Sequence, residues 1–230
     1  EDFDMEYGVQ FPQISENSWV KPQYIEECSD LNRFYLQGDK EYETIISVDV
    51  GVVEGGDNTC MKVGRLLPQK DGSYEIDEVR TITMNGASYT RQHEQLRELL
   101  KLYPNTIRIM MDVNGVGKGL YQECIKPYWD AELQKELSPL IDMLDKAACN
   151  NIPNGIKIIY GITAGAELNH TMGITIKKYF EKHKYHMYNP STVNDDNRVF
   201  LKETILNFKL TKKLVGLLLL VKIDGVVPIC

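Results

Sequence analysis

Over residues 1–42 apolar and polar positions follow no sustained period, and Pro12, Pro22, Gly8 and Gly38 interrupt scattered aromatics. That stretch predicts an extended arm with one short helix near Gln23–Cys28. From Thr44 the pattern sharpens. Runs rich in β-branched residues over Thr44–Val50, Asn58–Leu67 and Tyr74–Met84 predict three strands on short connections, with Asp71-Gly72-Ser73 as the second turn. Leu96, Leu99, Leu100 and Tyr103 recur at helical spacing behind a capping residue, Ser88, which predicts a helix over Ser88–Leu102 that Pro104 stops. A fourth strand over Thr106–Asp112 leads into the glycine loop Gly115–Gly119 and a helix over Leu120–Tyr128. Residues Ala131–Asn151 read as polar and then helical, mobile around Ser138-Pro139. A strand over Ile156–Tyr160, a helix over Glu167–Lys182, a short strand over Tyr185–Tyr188 and a helix over Asp195–Phe208 follow. Three antiparallel strands and then alternating helices and strands predict an α/β protein built on one mixed sheet flanked by helices.

The 230-residue length fits one large domain, or one domain carrying an arm. With 43% hydrophobic and 26% charged residues, the chain can build a core without disulfides. The longest apolar run, Leu214 to Val221, falls far short of the ~20 residues a membrane span needs, so no membrane association is expected. No leader sequence is visible before Glu1, and the chain reads as an excised piece. Cys28, Cys60, Cys124, Cys149 and Cys230 are an odd, widely spaced set without a zinc-binding pattern, which predicts core thiols in a reducing compartment.

Charge changes the picture more through its distribution than through its net value of −7. Residues 1–60 hold 14 acids and 3 bases, whereas the stretch from Lys177 to Lys222 holds 10 bases and 4 acids. The second part could offer a basic face to a phosphate backbone; a solvated lysine-rich surface is the plainer alternative.

Two acids carry the strongest chemical signal. Asp49 closes the apolar run Ile45-Ile46-Ser47-Val48-Asp49, and Asp112 closes Ile107-Arg108-Ile109-Met110-Met111-Asp112. A carboxylate in such a strand is costly unless paired or bound to a cation. If the two strands lie side by side, the acids meet at one end of the sheet, and a hard divalent ion, Mg²⁺ or Mn²⁺, is the simplest way to neutralise both. Asp57 in Gly55-Gly56-Asp57-Asn58-Thr59 is an accessory ligand candidate, with an Asx-type turn as its equal alternative. The loop from Asp112 to Gly119 fails as a Walker A motif: Asp112 stands where its first glycine belongs, and Gly119 where Ser or Thr must follow Lys118. His93, His170, His183 and His186 form no ligand pattern and read as surface residues. No serine or cysteine sits in a nucleophile elbow.

The segments Ile46-Ser47-Val48-Asp49-Val50-Gly51, Gly55-Gly56-Asp57-Asn58-Thr59 and Met111-Asp112-Val113-Asn114-Gly115-Val116-Gly117-Lys118-Gly119-Leu120 resemble the C-terminal nuclease domain of tailed-bacteriophage terminase large subunits, the DNA-packaging motors. Phe3-Asp4-Met5-Glu6-Tyr7-Gly8-Val9-Gln10-Phe11 is similar to the segment that joins that family's ATPase domain to its nuclease. The resemblance implies an RNase H-like fold over residues 43–230, with residues 1–42 a linker arm from an absent ATPase domain. It further implies a Mg²⁺- or Mn²⁺-dependent endonuclease that cuts double-stranded DNA by a two-metal mechanism. Asp49, Asp112 and Asp57 would be its catalytic and metal-binding residues. Its partners would be DNA, a portal and a small terminase subunit, and its place the cytoplasm of an infected or prophage-carrying bacterium.

The family's third acid lies on a C-terminal helix after a strand like Leu217–Ile223. Here the chain reaches Cys230 soon after Asp224, and neither Asp224 nor Asp195-Asp196 matches that position, so weak activity is expected of this chain. A DNA-binding or portal-docking module of the same fold is the first alternative. An actin-like ATPase is the second, and it lacks the second phosphate-binding hairpin that it would need.

Overall fold

The computed structural model describes residues 20–31, 35, 37–52, 58–163 and 165–188. Its nine strands are β1 (Thr44–Asp49), β2 (Thr59–Pro68), β3 (Tyr74–Met84), β4 (Thr106–Asp112), β5 (Tyr128–Asp130), β6 (Lys135–Leu137), β7 (Leu140–Asp142), β8 (Ile156–Ile162) and β9 (Tyr185–His186). The helices are α1 (Pro22–Glu27), α2 (Tyr89–Leu102), α3 (Gly117–Cys124), α4 (Lys146–Asn151) and α5 (Ala166–Glu181).

Seven strands form one sheet in the order β7-β8-β4-β1-β2-β3-β9. Strands β1 to β3 pair antiparallel, while β4 adds parallel to β1, β8 to β4 and β7 to β8. This is the RNase H-like arrangement: an antiparallel meander whose first strand is extended sideways by parallel strands that arrive through helical crossovers.

Alternation along β1 divides the core in two. Ile46, Val48 and Val50 face α2 and α3, packing with Leu96, Leu99, Leu120 and Cys124. Ile45 faces the other way and packs with Ile176, Tyr179 and Phe180 of α5. Cys28, just after α1, is fully buried in that second cluster, and Tyr24 and Ile25 pack against it. Cys60 and Cys124 are also buried, so these three thiols fill core volume as the sequence predicts, whereas Cys149 is only partly buried and Cys230 lies outside the described residues. No helix among the described residues is long and apolar enough to cross a membrane.

The bounds of β3 and β4 and the Ser88 cap agree with the sequence reading; the Ser88 side chain accepts from Arg91 N–H at 3.2 Å. Three expectations are corrected. The helix after the glycine loop starts at Gly117, not Leu120, and ends at Cys124 rather than Tyr128. Between Tyr128 and Asp142 there is a β5–β6 hairpin and then the sheet strand β7, where a polar and then helical stretch was expected. Nor is Ser138-Pro139 a loose joint: Arg97 donates to the Ser138 carbonyl at 2.8 Å, and Ile156 N–H to the Pro139 carbonyl at 2.8 Å. The expected helix over 195–208 lies outside the described residues.

His93 is likewise corrected from surface to core, at 5% exposure. Arg97 Nε donates to His93 Nε2 at 3.0 Å, and the imidazole packs edge-on against Tyr128 of the hairpin. Burial, and secondarily the Arg97 charge, pushes the imidazole down to about 4. Its folded pKa therefore lies below the unfolded value, so its contribution is full above about pH 6.5 and is lost as pH falls toward 4. Chemical denaturation at pH 4.5 is expected to show about 2–3 kcal/mol less stability from this residue than at pH 7.5. In His93→Gln, which keeps an acceptor for Arg97, that part of the pH dependence should vanish; an unchanged acid loss would place its origin elsewhere.

Candidate metal centre

Asp49 and Asp112 end adjacent parallel strands at the same level. Val48 pairs with Met111 and Ser47 with Met110, so one step further along both strands Asp49 and Asp112 stand side by side. Neighbouring strands are roughly 4.8 Å apart, which sets the backbone separation of the two acids. By strand alternation both side chains leave the sheet on the Ser47 and Met110 side, the side that carries α5. Beneath them lies a small apolar cluster of Cys60, Met110, Ile162 and Met172. Cys60 is the cross-strand partner of Asp49. Burial pushes its thiol up to about 11, and the Asp49 charge adds to that in the same direction. Both aspartates are partly exposed, open enough to take a ligand from solvent.

Local structure fixes each acid. After β1 the chain turns at Gly51, whose N–H donates to the Thr59 hydroxyl at 2.9 Å and whose carbonyl accepts from that hydroxyl at 2.6 Å. The Gln92 amide donates to the same carbonyl at 2.9 Å. At β4, Asp112 Oδ1 accepts from Asn114 N–H at 3.0 Å, an Asx turn that reverses the chain into α3.

The glycines of this loop turn out to be packing devices. A Cβ on Gly117 would lie 1.8 Å from the Asp112 carbonyl oxygen, and one on Gly119 would lie 2.2 Å from the Tyr89 ring. Gly115, at φ +51°, supplies a left-handed turn residue. Gly117→Ala must therefore push α3 away from the end of β4. We expect it to cost about 2–4 kcal/mol in urea unfolding, together with the metal response of Asp112. A variant as stable as the parent would show that the loop has room to adjust.

Asp57, Asp195, Asp196 and Asp224 lie outside the described residues. Among the described residues no three His, Cys, Asp or Glu side chains converge as a metal cluster. The sequence reading did not single out Asp142, a buried acid on β7. It pairs with Ile159, whose side chain belongs to the α2–α3 face, so it stands on the opposite side of the sheet from the Asp49–Asp112 pair. It also missed Lys62, whose charge inside the apolar run Cys60-Met61-Lys62-Val63 was the available signal. Lys62 is 2% exposed, salt-bridged to the equally buried Glu78, and two residues along β2 from the partner of Asp49.

No protein-family model and no curated protein sequence matches the chain. Among solved structures it is similar to the large terminase nuclease from thermophilic phage G20c with bound magnesium, at 16% identity and TM-score 0.45, covering 68% of this chain and 63% of that one. It is also similar to the human cytomegalovirus terminase nuclease domain, Mn soaked, at 11% identity and TM-score 0.47, covering 90% and 97%. Both are terminase nucleases. The chain thus spans less than two thirds of the phage protein's matched chain.

Proposed function

We propose that this domain is a divalent-metal-dependent endonuclease acting on double-stranded DNA, with Asp49 and Asp112 as its metal ligands and Asp57 as an accessory one. The observation that carries the reading is the level placement of two strand-end carboxylates on neighbouring parallel strands, facing one side of an RNase H-like sheet. Their donor set fits Mg²⁺ or Mn²⁺, since both supply hard oxygens and two adjacent negative charges favour a cation between them. When bound, two such ions supply an activated water and stabilise the leaving oxygen. The protein's own share is to hold the carboxylates at fixed positions, which it does through the Gly51–Thr59 clasp and the Asp112–Asn114 turn. Among the described residues no third acid joins the pair, so a further ligand would come from Asp57 or from the residues after 188.

By the same motif resemblance, the substrate is a concatemeric phage genome cut during packaging in the host cytoplasm, with a portal and a small terminase subunit as partners. Residues 1–42 would lead in from an ATPase domain. Incubating supercoiled plasmid with the chain and Mn²⁺, with an EDTA control, tests the activity. Nicking that EDTA stops is the expected result. Tight DNA binding without any nicking would instead favour a DNA-binding or portal-docking module.

A further inference from the structure

The β5–β6 hairpin forms a two-stranded sheet of its own and lies against α2, on the opposite side of the main sheet from Asp49 and Asp112. Its inner side is engaged. Tyr128 packs against His93 and Arg97, and Asp130, 1% exposed, pairs with Lys101 at 3.0 Å. Alternation sends the residue between them outward, so Trp129 is 61% exposed, and Leu133 at the hairpin tip is 52% exposed. Neither side chain adds to the core; what they add is a surface.

The strand register gives that surface its chemistry. Glu136 stands directly across from Trp129, so the two side chains rise together from the outer face, their Cβ atoms roughly 4.5–5.5 Å apart. Glu136 is exposed, and among the described residues no base pairs with it. The single base of the hairpin, Lys135, stands across from Asp130 on the inner side. Lys101, the α2 lysine that reaches the hairpin, is shared by Glu98, Asp130 and Glu132 at 3.1, 3.0 and 3.0 Å, which leaves three carboxylates around one ammonium. An indole face beside an uncompensated carboxylate attracts a cation twice over, through the ring quadrupole and through the charge. The same carboxylates repel a DNA phosphate. No third strand joins the hairpin among the described residues, so an extended chain can lie along its edge.

We infer that the outer side of this hairpin binds an extended segment of a protein partner that carries arginine or lysine, with the cation seated on the Trp129 ring and paired with Glu136. Bound there, the partner lies behind the sheet and leaves the Asp49–Asp112 side open to DNA. The inference stands independently of the nuclease reading, and the failure of one does not entail the failure of the other.

The test is fluorescence anisotropy of a fluorescein-labelled octapeptide of alternating arginine and serine, titrated with the full chain. Trp129→Leu keeps an apolar side chain without an aromatic face and should weaken binding about 5-fold. Trp129→Phe, with a smaller aromatic face, should recover part of that loss, and Glu136→Gln should weaken binding about 3-fold. Glu26→Gln removes an exposed acid from α1, on the other side of the sheet, and should bind as the parent does. All three positions are exposed, so circular dichroism should match the parent in every variant. Equal binding by the parent and Trp129→Leu, or an equal loss in Glu26→Gln, would reduce the contact to unspecific attraction of a polycation and overturn the assignment. Weaker binding of a 30-base-pair duplex by Trp129→Leu would overturn it by making the indole a nucleic-acid contact. A concentration-dependent dimer in sedimentation that Trp129→Leu dissolves would overturn it by making the face a surface for a second copy of the chain.

Discussion

Asp112→Asn is expected to abolish Mn²⁺-dependent nicking, by at least about 100-fold, while the domain stays folded. The variant removes the charge that would hold a cation. The Asn114 N–H that donates to Asp112 Oδ1 at 3.0 Å can donate to the amide oxygen in the same way, so the Asx turn into α3 survives. Relief of repulsion from Asp49, one strand away, should leave stability equal or slightly raised. Asp49→Asn should behave alike, because the two acids are equivalent by register. Circular dichroism and urea unfolding check the fold, and relaxation of supercoiled plasmid checks the activity. A variant that nicks at the parent rate would remove Asp112 from the reaction.

The largest stability effect is expected at Lys62. Its ammonium contacts Glu78 and donates to the Thr81 hydroxyl at 3.2 Å, while Glu78 also accepts from the Thr81 and Tyr185 hydroxyls. Burial alone would push the Glu78 carboxyl up, but the Lys62 charge and hydrogen bond, together with the Thr81 and Tyr185 hydroxyls, hold that carboxyl below its usual range. Lys62→Met strands a buried carboxylate and should cost about 3–5 kcal/mol in urea unfolding. Adding Glu78→Met to Lys62→Met should recover most of the loss, since two apolar groups of similar size then replace a desolvated ion pair. A Lys62→Met cost under about 1 kcal/mol would mean that water reaches the pair.

How much of this was legible in the sequence depended on how local the cause was. Strands β1 and β4 announce themselves as β-branched or apolar runs that end in an acid, and α2 by its periodic leucines and its Ser88 cap. The β5–β6 hairpin left no such trace, because three-residue strands such as Lys135-Glu136-Leu137 are too short to show alternation. Tertiary contacts hold it: Lys101 on α2 reaches Asp130 at 3.0 Å, and Arg97 lies over the Tyr128 ring. His93 was readable in principle, since it lies one helical step before Leu96 on the apolar side of α2, but its polar character outweighed its position. The acids could be placed at strand ends from sequence, whereas their meeting depended on β4 adding parallel beside β1 in register, which only the assembled sheet settles.

A manganese anomalous difference map of the crystallised chain tests the central claim most directly. The claim predicts a peak between the Asp49 and Asp112 carboxylates, with oxygen ligands roughly 2.0–2.6 Å from the ion. Manganese bound elsewhere, with nothing between these two aspartates at the same soaking concentration, would contradict it.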